Sequence, residues 1–466
     1  MKKSLQIVIL TGALLATLLP CSAATLPTLT TLHSFLGDGD GSNPETVLTY
    51  NATTGVLYGT TFAGGTSGWG TVFQLTPPTP PSTTWTQQVI YSFTGGADGA
   101  NPVAGMVLTS GGVLYGTTDL GGRLGHGTVF SLTPPTPPST TWTLQTLYSF
   151  TGQSGDGMNP EGGLVMNKEV LYGTTYLGGA AGYGTVFSLT PKAGGRWAET
   201  VLYSFTGAPA ACGTTSNPAC DGANPEAGLT LVSSSGVLYG TTFAGGTEGY
   251  GTVFSLTPPT PPATTWTETL LHSFIGAPSG VGGGGVPCGS SGQPPCDGAY
   301  PAGGVVIGKG AALYGVTTIG GKPGSCPLGG FAQGCGAVYQ LQPPTPPATT
   351  WTESLLYVFT GPPKDGWAPS QNLAVGPTGN LAGTTFAGGS TDDICFPASY
   401  LGCGIVYMLK PPASTGPWTK STLGVFNGDN GGGPNGVVLG KGGVMYGTTF
   451  VGGTTGGYGT VFELVP

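Results

Sequence analysis

One loop position recurs with ring-bearing side chains. Immediately before the glycine of a repeated Gly-Thr-Val-Phe segment stand Trp69, His126, Tyr183, Tyr250 and Tyr458, and in two further copies Cys335 and Cys403. Rings set around one face of a repeat protein could stack on sugar rings or other flat ligands, which makes these five the candidate binding residues. The competing reading is that each ring packs over its own glycine-rich turn. Cysteine in two of the seven copies favours that reading, because a disulfide would brace the turn equally well.

Carboxylates recur too. Asp40, Asp98, Asp156, Asp221, Asp297, Asp365 and Asp429 each lie in a connecting loop, four of them in the fuller form Asp-Gly-x-Asn-Pro with Asn43, Asn101, Asn159 and Asn224. Carboxylate and carbonyl oxygens together can hold calcium, but the spacing matches no known calcium loop. Asp and Asn beside Gly and Pro also form turns by bonding to their own backbone, and turn formation is expected here.

Eight cysteines follow Cys21, in four close pairs: Cys212 with Cys220, Cys288 with Cys296, Cys326 with Cys335, and Cys395 with Cys403. Local disulfides are expected, each contributing up to roughly 2–3 kcal/mol by restricting a short loop in the unfolded chain. Such bridges imply an oxidising compartment. Separations of eight or nine do not suit finger-type zinc ligand pairs, and neither a metal nor a cofactor is expected.

Catalytic residues are hard to assemble. Of three histidines, His33 and His272 occupy a slot that is tyrosine in Tyr91-Ser-Phe, Tyr148-Ser-Phe and Tyr203-Ser-Phe. His126 is the one candidate base, with Arg123 and Asp119 near it in sequence, but no nucleophile is placed beside it. A carboxylate pair of the glycosidase type remains open, since seven aspartates share a face. No phosphate loop, dinucleotide fingerprint or metalloprotease motif occurs.

The elements that must position these residues form a repeat. Leu-Tyr-Gly-Thr-Thr or a variant occurs seven times, with second residues at 58, 115, 172, 239, 314, 382 and 446, steps of 57, 57, 67, 75, 68 and 64. Each copy holds four strand candidates: an apolar stretch such as Met106-Val107-Leu108, the Leu-Tyr-Gly-Thr-Thr segment, Gly-Thr-Val-Phe-x-Leu, and a run from tryptophan to Ser-Phe such as Trp85–Phe93. All are rich in Val, Thr and aromatics and bounded by Gly, Pro or Asn, the signature of strands, and no segment sustains a helical period.

Four strands per unit of this size suit a propeller blade; a linear solenoid or a string of small sheets is the alternative. The N-terminal part supplies a lone fourth strand, Leu29–Phe35, and the last unit stops after a third, Gly459–Leu464. The expected fold is therefore all-β, a seven-bladed propeller of four-stranded blades, closed by pairing of the N-terminal strand with the C-terminal blade. Closure would remove two open sheet edges. The tryptophans Trp85, Trp142, Trp197, Trp266, Trp351 and Trp418 read as structural residues opening fourth strands.

The pattern Leu-Tyr-Gly-Thr-Thr…Gly-Gly…Gly-Thr-Val-Phe…Ser-Phe resembles the GloVer tandem-repeat family of exported bacterial proteins. Its double glycines and tryptophans are also similar to those of kelch propellers. The resemblance implies a repeat architecture and an exported location; it brings no characterised activity.

Composition narrows the function classes. Lys2 and Lys3 precede an apolar run from Leu5 to Leu19 and the small residues Cys21–Ala24, the form of a secretory signal. Residues 1–24 are read as a signal peptide and 25–466 as the propeller, with lipoprotein anchoring at Cys21 as the rival. No later run approaches the ~18 apolar residues of a spanning helix. Charged residues are 7% and the net charge is −8 with two arginines, Arg123 and Arg196, which argues against nucleic acid. Stiff Thr-Pro-Pro-Thr-Pro-Pro loops at Thr76–Thr84, Thr133–Thr141, Thr257–Thr265 and Gln342–Thr350 belong to the face opposite the rings and read as rigid spacers. The expectation is an exported, monomeric, non-enzymatic binding or structural module recognising glycans or proteins through one loop-rich face. An extracellular polysaccharide lyase or glycoside hydrolase is the alternative.

Overall fold

The computed structural model describes residues 26–207, 221–276, 296–321, 334–363, 365–389, 395, 402–414, 416–454 and 456–466. The leader assigned to residues 1–24 lies outside them, as do Cys212, Cys220, Cys288 and Cys326.

The described residues form seven antiparallel blades around a central channel. Blade 1 comprises Thr49–Tyr50, Leu57–Thr61, Thr71–Thr76 and Thr86–Ser92, from the axis outward. Blade 7 takes Val438–Leu439, Met445–Val451 and Thr460–Val465 from the end of the sequence and its outer strand, Thr28–Ser34, from the beginning. That outer strand pairs with Thr460–Val465 from Thr28↔Val465 to Ser34↔Thr460, so the ring closes as the two complementary ends require. The observed third and fourth strands start one residue later than the motifs suggest, at Thr71 and Thr86. Apart from strands, only two short 3-10 turns, Lys309–Ala311 and Lys441–Gly443, occur among the described residues.

The recurring motif residues meet between blades. The Phe that follows each outer strand, after Ser in five blades and after Val in blades 5 and 6, packs edge-on against the aromatic residue of the next blade's third strand. The pairs are Phe35–Phe73, Phe93–Phe130, Phe150–Phe187, Phe205–Phe254, Phe274–Tyr339, Phe359–Tyr407 and Phe426–Phe462, at 5.0–5.3 Å between ring centres. All fourteen rings are fully buried. Such pairs are worth about 0.5–1.5 kcal/mol beyond the area they bury. The glycine of Leu-Tyr-Gly-Thr-Thr makes room for them: a Cβ on Gly116 would lie 2.6 Å from the tip of Phe130.

The tryptophans also bridge blades rather than merely opening outer strands. Trp142 packs on Tyr58 of the preceding blade, and Trp85, Trp197, Trp266, Trp351 and Trp418 do the same on Tyr446, Tyr115, Tyr172, Tyr239 and Tyr314. At the seventh interface both partners are absent together: Ala382 stands in the Tyr slot and Pro27 in the Trp slot.

Two local departures from the repeat leave polar groups stranded. Blades 5 and 6 carry Tyr339 and Tyr407 where the other blades have Phe, and both hydroxyls are buried without a hydrogen-bond partner. Glu199, Glu268 and Glu353 each place a buried, unpartnered carboxylate oxygen on an outer strand, facing Asp156, Asp221 and Asp297 respectively. Burial, aided by the neighbouring aspartate, pushes their pKa values up to about 7, about 7 and about 8. In blade 6 the same slot holds Lys420, which forms an ion pair with Asp365.

Two predictions follow from these groups. Tyr339→Phe and Tyr407→Phe should each stabilise the protein, by about 1–2 kcal/mol in urea unfolding, because a buried unsatisfied hydroxyl is removed at constant shape. The three glutamates bind protons more tightly folded than unfolded, so their contribution to stability is full below about pH 4.5 and is lost as pH rises through about 7–8. Thermal melts of a Glu199→Gln/Glu268→Gln/Glu353→Gln variant should therefore fall less between pH 5 and pH 8.5 than those of the parent.

Candidate functional site

Inter-blade loops pair with the loops joining second and third strands, through the bridges Ser42↔Ala63, Ala100↔Leu120, Ala223↔Ala244 and Ala299↔Ile319. This places both loop sets on one face. The proline-rich segments join third to fourth strands at the other end of the blades, and their tips are exposed.

At every junction one short structure repeats. The inter-blade Asp accepts a hydrogen bond from the backbone N–H that follows the core Phe: Leu36 to Asp40 at 3.1 Å, Thr94 to Asp98 at 2.8 Å, Thr151 to Asp156 at 2.7 Å, Thr206 to Asp221 at 3.1 Å, Ile275 to Asp297 at 2.9 Å and Thr360 to Asp365 at 2.9 Å. The ring two residues before that Phe reaches the same carboxylate, as Tyr91 Oη does Asp98 at 3.0 Å and His272 Nε2 does Asp297 at 2.9 Å. The seventh junction corrects the sequence reading. Asn430, not Asp429, takes the acceptor position, bonding the Asn427 N–H at 2.9 Å, and Gly424 replaces the ring. Ring and carboxylate are lost together, as expected if the carboxylate's task is to hold the turn.

Three residues beyond the Asp comes a residue in the left-handed region: Asn43, Asn101, Asn159, Asn224, Tyr300 and Ala368 at φ 53–58°, and Gly433 at φ 62°. Its backbone N–H donates to the carbonyl of the ring slot in the preceding blade, as Asn101 does to Trp69 at 2.9 Å and Ala368 to Cys335 at 3.1 Å. Asn adds a second bond across the interface, from Asn101 Nδ2 to the Phe62 carbonyl at 2.9 Å. Asn tolerates this conformation because its short side chain bonds locally.

Each predicted binding ring stands over the glycine of the following loop. An added Cβ would lie 2.5 Å from Trp69 at Gly95 and from Tyr458 at Gly37, and 2.3 Å from Tyr183 at Gly207 and Tyr250 at Gly276; for His126 at Gly152 the separation is 3.5 Å. The five rings thus brace turns while Trp69 and Tyr458 still expose 45% and 41% of their surface. In blade 6, Cys403 is joined to Cys395, whose sulfur takes the ring's place beside Gly428, 3.6 Å from where a Cβ would be. Cys296 and Cys335 are likewise disulfide-bonded.

The rings do not converge, but the channel does gather polar groups. Its cavity of about 780 Å³ is lined by all seven blades. Glu45, Glu161 and Glu226 enter it from the position after Asn-Pro, and Asp119 from the residue after the second strand of blade 2. Gln371, Asn372 and Asn435 supply amides from blades 6 and 7, and Phe62, Phe386 and Phe450 supply rings. No Lys, Arg or His lines it among the described residues. Burial raises Glu45 to about 7 with help from Asp119, Glu161 to about 8 with help from Glu226, Asp119 and Glu45, and Glu226 to about 7. Asp119 is also shifted upward by burial, against a 2.9 Å hydrogen bond from Asn159 Nδ2. Near pH 7 these groups offer both hydrogen-bond donors and anions.

The sequence reading missed Glu45, Glu161 and Glu226, although a signal existed: the residue after the loop proline is Glu, Val, Glu, Glu, Ala, Ser and Asn in turn, a variable slot in a constant motif. It also set Asp119 beside His126. In the fold Asp119 faces the channel, whereas His126 stands over Gly152.

Residues 20–219 match the Gloeobacter/Verrucomicrobia repeat family. No curated protein matches the sequence. Solved structures with a similar outline include one described as a 6-phosphogluconolactonase from Bacteroides uniformis, at 12% identity and TM-score 0.46, covering 84% of this chain and 88% of its own. An endo-arabinase from Bacteroides thetaiotaomicron follows at 11% and 0.31, covering 69% and 93%. Likenesses this distant carry nothing about chemistry.

The junction geometry predicts that Asn101→Ala loses about 1–3 kcal/mol in denaturant unfolding, through an Ala held in the left-handed region and a broken inter-blade bond. Asn101→Gly, which keeps the backbone conformation, should lose less.

Proposed function

We propose that this chain, whose residues 20–219 match that repeat family, is an exported, non-enzymatic binding module that takes a glycan or protein ligand into the channel mouth from its loop-rich face. The observation that carries this reading is the cavity of about 780 Å³, in which carboxyl groups, amides and phenyl rings meet. Sites of this volume with a few convergent polar groups on an apolar wall are the usual form of a ligand pocket. Trp69, His126, Tyr183, Tyr250 and Tyr458 are proposed as outer contacts, secondary to their bracing role.

A second reading, glycoside hydrolysis, draws support from Glu161. It is a carboxyl held up to about 8 beside other carboxylates, and such hydrolases need one protonated and one ionised partner. A glycan-array screen run alongside turnover assays tests both. Binding should occur without product formation and weaken at least tenfold in Phe450→Ala and in Glu161→Gln. Product formation abolished by Glu161→Gln would overturn the binding-only reading.

A further inference from the structure

Most exposed apolar side chains of the described loop-rich face lie in one sector, Val425 at the end of the blade 6 outer strand being the exception. Leu36, Trp69, Leu120, Leu124 and Tyr458 expose 55%, 45%, 37%, 52% and 41% of their surface. They belong to blades 7, 1 and 2 and are linked across the junctions. The Tyr458 ring lies against Gly37 beside Leu36, the Tyr458 carbonyl accepts from Asn43 and the Trp69 carbonyl from Asn101, and Leu120 pairs with Ala100. Blades 1 and 2 of this sector also carry acidic groups of the channel. Asp119 adjoins Leu120 in sequence, Glu45 opens blade 1, and Glu161 follows at blade 3. An apolar sector, interrupted at its blade 2 end by the exposed Arg123, therefore runs inward onto channel carboxyl groups with no Lys, Arg or His among the described lining residues.

We propose that this sector and the acidic side of the channel form one docking site for a basic, amphipathic polypeptide segment of a partner protein. Its lysine or arginine side chains enter beside Glu45, Asp119, Glu161 and Glu226, and its apolar residues rest on Leu36, Trp69, Leu120, Leu124 and Tyr458. The inference rests on the binding reading above and names its ligand class. Charge complementarity selects a cation, since buried carboxylates without a counter-charge are stabilised by an ammonium or guanidinium more than by any neutral group. Three of the five apolar contacts are aliphatic leucines, which suit aliphatic side chains, whereas sugars stack on aromatic faces. That contrast favours a polypeptide over an amino-sugar polymer.

Cation entry would also displace protons. Glu45, Glu161 and Glu226 are partly protonated near pH 7 in the free protein. The groups facing them are Asp119 and Tyr176, neither of them basic. A bound cation stabilises the ionised forms, so binding releases protons and tightens as pH rises from about 6 to 8.

The test is isothermal titration calorimetry of the full chain with three probes: a dodecapeptide of alternating Lys and Leu, the same peptide with Gln for Lys, and a chitosan hexamer. Measurements at pH 7 in two buffers of different ionisation enthalpy read the proton release. The Lys-Leu peptide should bind at least tenfold tighter than the other two, with proton release. Glu161→Gln/Glu226→Gln and Leu124→Ser should each weaken it at least fivefold. Glu169→Gln/Glu248→Gln makes the same charge change at exposed positions outside the channel and should leave it unchanged. Circular dichroism melts establish that each variant is folded. Equal affinity of the Gln-Leu peptide, tighter binding of chitosan, or indifference to the channel variants overturns the inference. A neutral glycan that binds and is lost in Phe450→Ala, with the peptide inert, overturns it while leaving the binding reading intact. Silence of every probe together with an empty glycan screen overturns both.

Discussion

Edge-on contact between the Phe that follows one blade's outer strand and the third-strand ring of the next sets the geometry of this molecule. Seven such pairs at nearly constant spacing hold each blade to its neighbour, and each requires the glycine of Leu-Tyr-Gly-Thr-Thr to admit the ring tip. Apolar cores of the protein are accordingly found between blades. A single blade could not bury both of its faces, so each depends on its neighbours, and the closed ring leaves no blade without one on either side.

Around that belt the junction loop works as a latch made of backbone. The Asp holds the turn, the left-handed residue hands its N–H back to the preceding blade, and a ring or disulfide covers the turn glycine. Substitutions occur in matched sets: Gly424 with Asn430, Ala382 with Pro27, and Cys403 with Cys395 where a ring would otherwise stand. Such pairing means that these positions answer first to one another, and contact with a ligand at Trp69 or Tyr458 is secondary to that. The channel positions are different, because Glu45, Glu161, Glu226 and Asp119 have no matched cation. Their carboxyl groups carry a burial cost that the fold itself does not require.

The carboxyl groups of the channel and those of the outer strands are shifted by the same cause, burial, which another carboxylate reinforces at all but Glu226 and Asp119, but they differ in consequence. Glu353 meets Asp297 inside a packed interface, so its proton bears on stability. Glu161 meets Glu226 in an open cavity, where a ligand can supply the missing charge. Lys420 beside Asp365 shows within the same molecule that an amine fits beside such an inter-blade carboxylate.

Strand chemistry, seven copies and complementary ends are local or periodic properties, so the residues alone determined the blade count, the closure and the sorting of loops onto two faces. The bracing role of the rings was also legible, because cysteine can replace a ring only if covering the turn is the task. What only the tertiary structure decided is which loop residues meet. Glu45, Glu161 and Glu226 are separated by more than a hundred residues at the extremes and converge because the ring curves their blades toward one axis. Asp119, seven residues from His126, faces the channel while the histidine turns to the next junction. Sequence distance measures position along the loop, whereas radius from the axis decides chemistry, and only the closed ring defines that radius.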